Sequence, residues 1–208
     1  MSLKGLKLPA QGIDRQIQKH QGYMHSAVIA AFCIEVEDYD CYSRCYRNAV
    51  KDTEGRTGYI AQPYVSAGEY RHDAFLDDRV KLSSFYGVGD NRRIVNGSGL
   101  ADVHLIFFAN VCALQPDIVH RADEEVMTQL TRIMNTQGSG YGFSLKGMET
   151  GDKVLAEYGS TRTTTGLYAR DMQPFVMMRF NFEVQYEPHQ LHVNEYRTNP
   201  QEPGEPLI

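Results

Sequence analysis

Asp102-Val-His-Leu-Ile-Phe-Phe-Ala-Asn-Val-Cys-Ala-Leu114 is the stretch that decides the fold. Extended, it places Val103, Leu105, Phe107, Ala109 and Val111 on one side and Ile106, Phe108 and Cys112 on the other. Two apolar faces predict a central strand covered on both sides. Gln115-Pro116-Asp117 ends it, since proline cannot donate to a ladder. The stretch 175–186 alternates instead. Val176, Met178, Phe180, Phe182, Val184 and Tyr186 share one face, and Arg179, Asn181, Glu183 and Gln185 share the other. That period of two predicts a long strand in the same sheet, with one face in the core and one toward solvent or a neighbouring subunit.

Helical spacing flanks these strands. Ile13, Ile17, Met24 and Val28 recur at the helical period, with Asp14 at the positive end of the dipole, predicting a helix over 13–31. Ala122, Val126, Leu130, Ile133 and Met134 form a second stripe, predicting a helix over 122–134. Cys41–Arg47 alternates as one strand, Tyr59–Val65 reads as extended, Phe143–Met148 as a strand, and Thr150 as the cap of a short helix reaching Tyr158. Residues 66–99 are rich in Gly, Asp and Arg without a period, and read as a long loop separable from the core. The expected fold class is α/β (α+β): a mixed β-sheet with a long C-terminal strand, covered by two main helices. The expected organisation is an N-terminal arm at 1–12, a single domain over 13–186 with an insertion loop at about 66–99, and a Pro-rich tail at 187–208.

Lys plus Arg is 21 against 26 Asp plus Glu, a net charge of −5. An acidic balance argues against a protein that coats nucleic acid, because phosphate neutralisation needs clustered cations. The first residues hold no apolar run of signal-peptide length, and no run approaches the roughly 20 residues of a membrane helix. A soluble protein made in a cytoplasm is the expectation. There Cys33, Cys41, Cys45 and Cys112 are free thiols, two of them in the core.

Motifs for chemistry are sparse. Cys41-x3-Cys45 lacks the spacing of a zinc knuckle and has no second pair, and on one strand both side chains share a face. His20 and His25 are five apart, and His189-x-x-His192 has no third ligand nearby. Gly138-Ser-Gly-Tyr-Gly142 is a turn with no lysine for phosphate, and Gly87-Val-Gly89 lacks the third glycine of a dinucleotide loop. The sequon Asn96-Gly97-Ser98 carries no meaning without secretion. Asp77-Asp78 and Glu124-Glu125 are neighbours whose side chains diverge. His104, inside the central strand, is either a core histidine or a buried base. An enzyme would draw its site from His104, Arg92-Arg93 and a carboxylate. The preferred reading has no catalytic residue, no cofactor and no metal, and assigns Arg92, Arg93, Phe75, Leu76, Phe85, Tyr86 and the 13 tyrosines to interfaces.

With the strand Val103–Leu114, the helix Ala122–Met134, the lead-in Tyr168-Ala-Arg-Asp-Met172 and the closing strand Met178–Tyr186, the chain resembles the tail terminator and tail-completion proteins of long-tailed bacteriophages and prophages. The resemblance spans about Asp102 to Tyr186 and rests on pattern and order. It implies a small α/β subunit in a hexameric ring that stops tail-tube growth and joins tail to head. The implied partners are further copies, the tail tube protein and head-completion or connector proteins, with DNA passing through the ring and no membrane. The implied place is the neck of the virion, after assembly in the host cytoplasm. Such a family has no catalytic residues to carry over. Residues 35–99 exceed the family pattern, which leaves a neighbouring connector ring as the alternative.

Overall fold

The computed structural model describes residues 12–51, 54–55, 57–66, 68–71, 74, 80–118, 122–137, 141–158 and 174–188, the side chains of Val50, Gln137 and Asp152 excepted. Helix α1 (Ile13–Phe32) leads into strands β1 (Tyr39–Tyr42), β2 (Cys45–Lys51), β3 (Thr57–Ser66) and β4 (Glu69–Tyr70). Strands β5 (Leu82–Val95) and β6 (Ser98–Asn110) follow, then α2 (Val111–Leu114), α3 (Ala122–Gln137), β7 (Phe143–Thr150) and β8 (Phe175–Tyr186). Five strands form one sheet in the order β1-β5-β6-β8-β7, and β2-β3-β4 form a second. Only β1 and β5 run parallel, so the larger sheet is mixed.

β6 is the middle strand, and its two faces feed two cores. Val103, Leu105, Phe107 and Ala109 pack with the stripes of α1 and α3 and with Met178, Phe180, Phe182 and Val184 of β8. Ile106 and Phe108 face the other way, into Phe85, Tyr42, Cys45 and Ala61, closed by Val154, Leu155 and Tyr158. Helices therefore cover one face. The small sheet and a pair of 3-10 turns, Gly151–Lys153 and Ala156–Tyr158, cover part of the other.

Several expectations hold. α1, α3, β7 and β8 lie where the periods placed them, and β8 spans Phe175–Tyr186. α1 ends at Cys33, whose left-handed backbone (φ 50°) turns its N–H back to the Ile29 carbonyl.

Others need correction. β6 stops at Asn110 rather than Leu114, because the Asn110 side chain accepts from the Ala113 N–H and caps the short turn α2. Cys41–Arg47 is two strands, broken at Ser43-Arg44. The break puts Cys41 in the helix-side core and Cys45 in the opposite one, so the two thiols do not share a face. The stretch after Thr150 forms 3-10 turns, and Thr150 makes no side-chain cap bond.

The largest correction concerns residues 66–99. Leu82–Val95 is a strand of 14 residues lying directly against β6. Phe85 and Tyr86 are fully buried in the subunit's own cores and are not free for an interface. Removing this stretch would delete an inner strand of the sheet. Asn96 (φ 51°) and Gly97 (φ 80°) supply the two left-handed residues that a tight hairpin turn between β5 and β6 requires. A bulge between Val88 and Arg92 shifts the register of β5 on β6. Phe75, Leu76, Asp77, Asp78, His72, His120, His189 and His192 lie outside the described residues.

Leu105, fully buried between β6 and the helices, should cost about 3 kcal/mol when replaced by Ala, as core truncations do. Ile94→Ala, at an exposed position, should cost under about 0.5 kcal/mol. Urea unfolding of the two variants checks the pair.

Candidate functional site

His104 is a polar residue in the mostly apolar run of β6, and the fold supplies partners for both of its nitrogens. Its Nε2 lies 2.7 Å from the Tyr158 hydroxyl and its Nδ1 lies 3.2 Å from Glu157 Oε2. A carboxylate only accepts, so Nδ1 carries the proton and Nε2 accepts from the tyrosine O–H. The Cys45 thiol donates to the Tyr46 carbonyl and lies close enough to Tyr158 to act on it electrostatically. On the far side, Arg179 donates from Nη2 to Glu157 Oε1 at 2.6 Å and from Nε to Asn181 Oδ1 at 2.6 Å, with Glu149 3.8 Å away. The result is one directed chain from phenol through imidazole to a carboxylate held by a guanidinium.

Gly87 makes the chain possible. It is the ladder partner of His104, and a Cβ there would fall 1.9 Å from His104 Nε2 and 2.2 Å from the Tyr158 oxygen. No side chain fits.

Hydroxyl, imidazole and carboxylate stand in the order of a catalytic triad. The electrostatics oppose that use. Burial holds the His104 pKa down at about 3, helped by Arg179 and Arg44, and burial pushes the Tyr158 and Cys45 groups well up. Each proton is held where it sits. The group acts as a clasp that pins the turn Ala156–Tyr158 to β6 and β8.

Arg92 and Arg93 do not join it. They pair with Ala101 and Leu100, beyond the bulge from Gly87, and Arg93 donates to Glu183 at 2.6 Å. A carboxylate and an arginine do reach His104, but they are Glu157 and Arg179. The sequence places Arg179 only on the polar face of β8, and no local spacing reveals that this face meets His104. The register does, since β6 and β8 pair Ile106 with Arg179 and His104 with Asn181.

A second buried group lies on the helix side. His20 stacks on Phe143 at 3.9 Å and meets the Tyr86 hydroxyl at 2.8 Å through Nδ1, and burial lowers its pKa to about 3. His25 stacks separately on Tyr39. The Tyr39 hydroxyl bonds Ser84 Oγ at 2.7 Å, and burial raises the Cys41 pKa to about 11. Among the described residues no three His, Cys, Asp or Glu side chains gather as a metal site. No described helix is long and apolar enough to cross a membrane.

Gly87→Ala should destabilise the fold by more than about 2 kcal/mol, since the added methyl overlaps a buried hydrogen bond. Chemical denaturation reads the effect. Stability should also fall in acid. His20 and His104 take up protons near pH 6.5 when unfolded but only near 3 when folded, so protons favour the unfolded chain between those values. The loss should begin as pH drops below 6.5 and run at about 1.4 kcal/mol per pH unit for each histidine. Urea titrations from pH 7 to pH 4 measure that slope, and His104→Gln should lower it by one proton.

No protein-family model matches the chain, and no curated protein matches it either.

Proposed function

We propose that the chain is a structural subunit from the neck of a long-tailed phage, which closes head to tail into a ring, ends the tail tube and joins tail to head. It works by assembly rather than catalysis. Its partners in this reading are five further copies, the tube protein and a head-completion or connector protein, with DNA in the lumen.

The observation that carries the reading is the far end of the β5–β6 hairpin. β1 covers β5 only over Leu82–Phe85, so beyond the bulge Arg92–Val95 has a ladder partner on one side only among the described residues. Ile94 is 60% exposed and Val95 42%, beside an exposed Arg92. Branched apolar side chains on an uncovered strand edge are a liability in a lone subunit. They are the material of a contact that excludes water. A patch of this kind on one subunit, meeting a different surface on the next, gives a head-to-tail contact that closes as a ring.

Light scattering and negative-stain imaging of the full chain should give ring-sized particles. Ile94→Asp combined with Val95→Asp should reduce them to monomers while shifting unfolding by less than about 1 kcal/mol, because both positions are exposed. A wild-type chain that is monomeric at every concentration and in purified particles would overturn the proposal.

A further inference from the structure

The three-stranded sheet carries an aromatic face that neither core uses. Cys45 and Ala61 point into the second core, and the alternating positions Tyr46 and Tyr64, with Tyr70 opposite Tyr64 in the ladder, stand together on the other side. Their ring centroids are 6.3, 5.8 and 5.4 Å apart, with planes at 71–82°. Tyr46 is 39% exposed and Tyr70 45%. Beside them Asn48 donates its amide to Gln62 at 2.7 Å. Cross-strand aromatic contacts stabilise a small sheet. They do not require that Tyr46 and Tyr70 keep so much of their surface in water.

We propose that this face seats residues 200–206 of the same chain's C-terminal tail, bound as a polyproline II helix. Two features support that occupant. Pro200, Pro203 and Pro206 recur every third residue, and polyproline II turns once in three, so all three rings fall on one side. Exposed clusters of aromatic rings are the usual seat for prolines so spaced.

Chain geometry agrees. β8 ends at Tyr186, whose ring lies 3.6 Å from where a Cβ on Gly12 would be. Asp14, just inside α1, is paired with Arg44. The tail thus departs on the side of the molecule that holds Tyr46. From Pro188 to Pro200 the chain can reach roughly 40 Å when extended.

The test uses full-length protein and a fluorescent peptide of residues 197–208. The variant with Pro200→Ala, Pro203→Ala and Pro206→Ala should bind the peptide about tenfold more tightly than wild type, whose own tail competes from within. Adding Tyr46→Ala and Tyr70→Ala to that variant should remove the binding, and a peptide with its three prolines changed to alanine should not bind. Amide exchange across β2–β4 should be slower in wild type than in the proline variant, a readout that needs no tyrosine substitution. The proposal fails if the proline variant does not bind the peptide, if the tyrosine changes leave binding intact, or if exchange is equal in both proteins. Equal peptide affinity for wild type and the proline variant would place the tail elsewhere and also overturn it. So would tyrosine-dependent binding of a dT oligonucleotide in place of the peptide. None of these readings depends on ring formation, whose test is particle mass.

Discussion

The dryness of β6 on both faces constrains the rest of the molecule. A strand lined by Leu105 and Phe107 on one side and Ile106 and Phe108 on the other cannot lie at a surface. The chain must build a layer over each face. α1 and α3 supply the first and the small sheet with its 3-10 turns supplies the second. His104 is the exception within that strand, and the same constraint accounts for its surroundings. At His104 both imidazole nitrogens are bonded, and the absence of a side chain at Gly87 makes room for the tyrosine that satisfies one of them. The Arg179–Glu157 pair then closes the arrangement at its solvent edge.

Much of this architecture is legible in the sequence because long, regular periods are hard to disguise. The alternation of 175–186 and the stripes of α1 and α3 each repeat often enough to outweigh a Gly22 or a His20 within them. β5 is hidden for a physical reason. Ser83 and Ser84 are buried where apolar residues would be looked for, and beyond the bulge at Gly89–Asn91 both faces of the strand are exposed, so no apolar alternation marks it. The sign that was present is Asn96-Gly97 between Arg-Arg-Ile-Val and Ser-Gly-Leu, a hairpin turn more informative than the sequon it happens to contain. At His104 the sequence offers the residue but not its company. Glu157 and Arg179 arrive from distant segments, and only the β6–β8 register aligns them.

The two surfaces left unused by the cores differ in character. The hairpin end is branched, aliphatic and cationic, with backbone groups open along one edge among the described residues. The tyrosine face is flat in charge and ringed by amides. A subunit that assembles through the first and holds its own tail on the second would keep assembly and tail capture chemically separate, because one contact depends on strand edges and aliphatic burial and the other on proline rings.

The stripe of α1 rests on elements made much later. His20 stacks on Phe143 and meets Phe182 edge-on, so the helix finds its seat only when β7 and β8 exist. At roughly 5–20 residues per second of synthesis, α1 waits on the order of ten seconds with Ile17, Met24 and Val28 uncovered. The hairpins β2–β3 and β5–β6 close over short distances and need not wait. Folding on the ribosome therefore runs against the order of the chain at its start, and the nascent helix is the segment on which a chaperone would act.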